Sequence, residues 1–106
     1  MRLHYAMAAA ALVATTAYAQ ETSLSINVKN HQFQPSTLQA PANVPIILRV
    51  KNLDSTPMEF ESVSLRVEKV VVGGGEGVIR LRPLAPGRYN FFDDFHQETN
   101  GVLVVR

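Results

Sequence analysis

Near the end of this sequence stands Asp93-Asp94-Phe95-His96, which sets a carboxylate three positions ahead of an imidazole. An earlier stretch, Pro57-Met58-Glu59-Phe60-Glu61-Ser62, offers a thioether beside carboxylates, and a second imidazole, His31, follows Asn30 at a turn. These are metal-ligand types. Carboxylate oxygens are hard donors and imidazole nitrogen is borderline, so together they suit iron, manganese, zinc or Cu(II); a thioether is soft and favours Cu(I). The chain has no cysteine, which excludes a thiolate site, a disulfide scaffold and thiol catalysis together. Each candidate also has a plainer use. An aspartate opening a loop commonly accepts backbone N–H groups, as Asp93 would, and Glu61 and Asp94 fit solvated positions or outer partners of a ligand histidine. Hydrolytic chemistry is not indicated, because Ser62 and Ser64 lack a neighbouring histidine signature and the carboxylates form no paired motif.

The elements that must position these groups are strands. Leu24, Ile26 and Val28 alternate with Ser23, Ser25 and Asn27, the pattern of a strand with one buried face. Further strands are expected over 37–40, 45–52, 58–65, 66–72, 78–82, 88–92 and 102–106, with no helix-period segment. Between them lie turn-formers such as Pro41-Ala42-Asn43 and Pro83-Leu84-Ala85-Pro86-Gly87. Gly73-Gly74-Gly75-Glu76-Gly77 reads as a mobile hairpin tip. Strands at this spacing predict an all-β Greek-key β-sandwich of seven or eight strands. Tyr89, just after Pro86-Gly87, is expected to act as a corner tyrosine that bonds nearby backbone. Glu59 and Glu61 share one face of their strand while Met58 and Phe60 share the other. A regular strand therefore turns Met58 inward with Phe60, whereas a bulge after Pro57 would bring Glu59 in.

The first 19 residues read as an export signal: Met1-Arg2, an apolar alanine-rich stretch, then Ala17-Tyr18-Ala19, with cleavage before Gln20. The apolar stretch is too short to span a bilayer. Residues 20–106 then form one domain, with nine basic and nine acidic residues and no basic field for nucleic acid or anionic lipid.

His31-Gln32-Phe33-Gln34-Pro35, followed by Leu38, Ala40 and Ala42 and by Val50-Lys51-Asn52, resembles the opening of a cupredoxin domain. The run from Tyr89 to His96, continuing to Gly101-Val102-Leu103-Val104-Val105, is similar to the last hairpin of blue-copper proteins, where a cysteine precedes a histidine by three positions. Asp93 stands in the cysteine's place. Met58 or Glu59 stands where the family brings its other histidine, and Thr99 and Asn100 lie where an axial methionine would be sought. Without the thiolate, the bond behind blue-copper electron transfer is lost. The chain further resembles a cysteine-free branch of the cupredoxins found as a small periplasmic component of bacterial iron-uptake systems. That resemblance implies a periplasmic protein binding a copper or iron ion through His96, Asp93 and Glu59, with His31 and Met58 assisting, at one pole of the sandwich. It implies as partners a periplasmic iron-binding protein and a membrane permease, with assistance to Fe(II) oxidation as the one enzymatic activity left open. A copper buffer or chaperone and a metal-free interaction module are the alternatives.

Overall fold

The structure of the chain, a computed structural model, describes residues 20–106; the export signal expected over 1–19 lies outside the described residues. Nine strands follow one another: β1 (Thr22–Lys29), β2 (Gln32–Gln34), β3 (Thr37–Ala40), β4 (Ile46–Asn52), β5 (Met58–Ser62), β6 (Val67–Val71), β7 (Glu76–Leu81), β8 (Gly87–Asp93) and β9 (His96–Val105). They form two sheets, ordered β2-β1-β4-β7 and β3-β9-β8-β5-β6. No helix occurs among the described residues, and no helix there is long and apolar enough to cross a membrane. The β-sandwich is the one expected; the strand count is higher by one short element. β2 escapes sequence reading because it holds a single apolar residue, Phe33, between two glutamines. β9 begins six residues earlier than expected, because a polar segment, Gln97-Glu98-Thr99-Asn100, still continues the pairing with β8.

The inward faces interleave Ile26, Val28, Leu48, Val50 and Ile79 from one sheet with Phe60, Phe91, Leu103 and Val105 from the other. Alternation supplies this burial directly, since residues two apart share a face. Phe33, Phe60 and Phe91 form an aromatic knot: Phe60 stacks on Phe91 at 4.9 Å and Phe33 meets Phe91 edge-on at 5.0 Å. Such pairs add about 0.5–1.5 kcal/mol beyond their buried area. The expected corner tyrosine is present, with the Tyr89 hydroxyl donating to Ala85 O at 2.7 Å.

The glycine stretch is not a free hairpin tip. Gly74 N donates to Asp54 O at 3.0 Å, and Asn52 N donates to Gly75 O at 2.9 Å. A Cβ on Gly73 would lie 2.1 Å from Ser55 O, so only glycine lets these two backbones approach. The turn therefore braces the 52–57 loop. Asn52 clamps that loop from inside: fully buried, it donates from Nδ2 to Thr56 O at 2.8 Å and Val71 O at 3.1 Å, and accepts from Asp54 N at 3.1 Å.

Candidate metal centre

Three connections meet at one pole of the sandwich. The first is the two-residue turn Asn30-His31, which closes the antiparallel β1–β2 pair between Lys29 and Gln32. Its residues have φ of 52° and 57°, the left-handed geometry that a twisted two-residue hairpin demands and that glycine meets most cheaply. Asp54, in the loop after β4, caps this turn by accepting from Asn30 N at 2.7 Å and His31 N at 3.0 Å. These bonds favour the ionised carboxyl. The His31 N–H does most to hold Asp54 below its ordinary value of 3.8, partly offset by desolvation.

The second and third connections are the 52–57 loop and the tight turn Asp94-Phe95 between β8 and β9. Asp93 and His96 are paired residues across that turn. Asp93 faces the interior beside Phe60 and is fully buried. Its Oδ1 accepts from Glu59 N and Phe95 N, each at 3.0 Å, and its Oδ2 lies 2.8 Å from His96 Nδ1. A buried carboxylate must be satisfied in this way. Both oxygens are thus engaged in tying β5, the turn and the His96 ring together.

His31 and His96 meet face to face, with ring centroids 3.9 Å apart and planes 30° apart. His31 Nδ1 lies 3.7 Å from Asp54 Oδ2, so each ring turns Nδ1 toward a carboxylate. Among the described residues Nε2 of neither ring has a hydrogen-bond partner, and the side chains are 46% and 26% exposed. A carboxylate on one ring nitrogen fixes the tautomer and raises the basicity of the other, the arrangement found behind metal-binding histidines. Thr99, buried on β9, donates through its hydroxyl to His31 O and fastens the β1–β2 turn to the strand that carries His96.

The five residues singled out by sequence divide three ways. His31 and His96 come together, with Asp93 behind His96. Met58 is 1% exposed and belongs to the core, because β5 runs in regular register, Met58 opposite Val71 and Glu59 opposite Val70. Glu59 consequently projects from the other face, where its carboxylate clusters with those of Glu61 and Asp94, all within 4.8 Å. Desolvation first, and then the Asp94 charge, raise both Glu59 and Glu61 above the usual 4.5. Asp54 was not among the expected site residues, Asn52 entered only as part of the family resemblance, and Thr99 only as standing where an axial methionine would be sought. Asp54 carried a signal, a carboxylate in the loop of the expected second ligand, but its partner His31 is 23 residues away in sequence.

The cupredoxin-like domain model matches residues 2–105. This chain belongs to the cupredoxin-like domain family. A relative in Rickettsia prowazekii (strain Madrid E), Uncharacterized protein RP394, is 41% identical over 83 residues, 77% of this chain, and the chain spans 66% of that relative's length. Among solved structures with the cupredoxin fold, reduced auracyanin from Roseiflexus castenholzii superposes with a TM-score of 0.69 at 17% identity, covering 84% of this chain and 99% of that one. The purple cupredoxin from Nitrosopumilus maritimus gives 0.61 at 18% identity, covering 78% and 99%. The metal-binding domain of the Streptococcus pneumoniae D39 Cu(I)-exporting P-type ATPase CopA, with Cu(I), gives 0.68 at 15%, covering 84% and 98%. At these identities the likeness is one of fold.

The donor set tests what this cupredoxin-like chain could hold. A thiolate copper site does not fit, since no cysteine exists and the carboxylate in its place is already satisfied. The donors that remain are the two Nε2 atoms, which have no hydrogen-bond partner among the described residues. They are borderline nitrogen donors at a half-exposed pole.

Proposed function

We propose that this protein is an exported, cupredoxin-like metal-binding protein of an iron-uptake system, taking a copper or iron ion at the His31–His96 pair. The observation that carries the reading is the placement of His31. A left-handed residue other than glycine costs about 1–2 kcal/mol, yet this turn keeps an imidazole there, stacked on a second imidazole and backed, like it, by a carboxylate. Bound metal would supply Lewis acidity or a one-electron couple. The protein's own residues hold the two rings in register: Asp93 bonds His96 Nδ1, Asp54 accepts from the backbone N–H groups of the turn that carries His31, and Thr99 and Asn52 lock the connections. The export reading rests on the signal-like residues 1–19; the iron-uptake setting, with an iron-binding protein and a permease as partners, rests on the family resemblance.

Calorimetric titration under anaerobic conditions with Cu(I), Cu(II) and Fe(II) tests the site. One ion per chain is expected, with affinity at least tenfold weaker in His96→Ala and in His31→Gly. Equal binding by wild type and both variants overturns the assignment. A metal-free docking role has one observation in its favour, the exposure of Leu53 and Phe95 beside the same pole. It is preferred if no ion binds and these two residues become protected in a complex.

A further inference from the structure

At the opposite pole a second feature has no part in the histidine site. Strands β6 and β7 are the edges of their respective sheets, and between their ends opens a cleft of about 280 Å³. It lies far from the histidines by register. Leu81 pairs with Ile46 at the start of β4, whereas Asn52 at its end leads to Asp54. Likewise the turn after Ser62 closes the end of β5 away from Met58 and Glu59.

The lining has two chemistries. Leu65, Val67, Leu81 and Leu84 supply an apolar floor, and Arg66, Arg80 and Arg82 stand around it with no acidic residue in the lining. Arg49 at the other end of the β4–β7 pair lies 3.8 Å from Glu76, but among the described residues none of these three arginines lies within 4.0 Å of a carboxylate. Glu61 and Glu68 line a neighbouring depression that shares Arg66 and Val67 with the cleft. Three arginines line one cleft with no carboxylate in the lining to neutralise them, an arrangement that favours an anion. An independent observation concerns the backbone. Arg66, which ends the 63–66 turn by donating from N to Val63 O at 3.2 Å, has φ of 56°, a conformation where glycine or asparagine costs less, and residues so held cluster at binding and active sites.

We infer that this cleft binds an amphiphilic anion, a phosphate or carboxylate head carrying a short apolar body. The guanidinium groups take the head in bidentate fashion and the leucine-valine floor takes the body. The volume lies just below the ~300–1,000 Å³ typical of drug-sized sites, which fits a head group with a few carbons rather than a folded partner. The ligand is a free monomer, because a concave cleft between two sheet edges encloses a molecule that a flat bilayer surface does not present.

Butyl phosphate is the probe, followed by calorimetry and by amide shifts in labelled protein. Binding of one molecule per chain is expected, with shifts confined to 64–67 and 80–84. The double variant R80Q/R82Q should bind at least tenfold more weakly, and H96A should bind as wild type does. Inorganic phosphate should bind at least tenfold more weakly than butyl phosphate. Arg66→Gly should weaken binding while raising the melting temperature, a combination that a merely structural arginine does not produce. Undiminished binding in R80Q/R82Q, equal affinity for inorganic phosphate, shifts outside the cleft, or association only with phosphatidylglycerol vesicles each overturns the inference.

Discussion

Asp93 is the residue whose replacement separates its structural from its functional duties. Replacing it with alanine removes the acceptor of two backbone N–H groups, Glu59 N and Phe95 N, and of His96 Nδ1, at a fully buried position. Each stranded donor costs about 1–3 kcal/mol, reduced where water can enter. The His96 side chain is partly exposed and can rehydrate. The two backbone donors then set the loss at about 3 kcal/mol, a large share of the roughly 5–15 kcal/mol that holds a domain of this kind together. Asp93→Asn behaves differently. Its amide oxygen must face the two N–H groups, because turning the amide around would oppose donor to donor. The amide NH₂ therefore points at His96 Nδ1, which has to become an acceptor, and the ring proton moves to Nε2. Only the charge-assisted part of the bonding is lost, about 1–2 kcal/mol, while the nitrogen proposed as a ligand is blocked. Urea denaturation of the two variants, with imidazole nitrogen shifts in labelled protein, reads both effects. Equal destabilisation by alanine and asparagine, or an unchanged His96 tautomer in Asp93→Asn, refutes the reasoning.

Other outcomes follow from the same geometry. His31→Gly should raise stability by about 0.5–1 kcal/mol by relieving the left-handed turn, measured by chemical denaturation, even as it removes an imidazole. Asn52→Ala should cost about 2–4 kcal/mol, since Thr56 O and Val71 O lose a buried donor, and thermal melts should show it. The acid response should split by sign. Asp54, held below its ordinary value, contributes stability that is present above pH 3.8 and lost as the pH falls through its lower folded value, so Asp54→Asn should be destabilised at pH 6 and converge with wild type in strong acid. Glu59 and Glu61, raised above 4.5, act oppositely: stability is complete below that pH and lost as the pH rises through their folded values. Glu61→Gln, which also relieves the cross-strand opposition to Glu68, should therefore melt higher than wild type at pH 7 and no differently at pH 3.

The fold was legible because alternation is a local signal: Leu24-Ile26-Val28 and Ile46-Leu48-Val50 declare their faces without reference to anything distant. The site was legible in its histidines and less so in its carboxylates. His31 and His96 could be paired only through the family resemblance. Aspartate type does not say whether an oxygen meets a metal or an N–H, and Asp93 proves to hold two backbone groups and a ring. The register of β5 settles the choice left open between Met58 and Glu59 in favour of a straight strand, with the thioether in the core and the carboxylate outside. Asp54 stayed hidden because its work is done on the backbone of a turn far off in sequence, and the glycine stretch misled because its close contact with Ser55 belongs to tertiary structure alone.

The central claim, that two imidazoles meeting at one pole form the metal site, is tested most directly by pulsed electron paramagnetic resonance on Cu(II)-loaded protein. The modulation from the remote nitrogen of each coordinated ring counts the histidines bound. Two imidazoles are predicted for the wild type and one for His31→Gly, with Met58→Leu unchanged. A spectrum without imidazole modulation, or one unaltered by His31→Gly, contradicts the account.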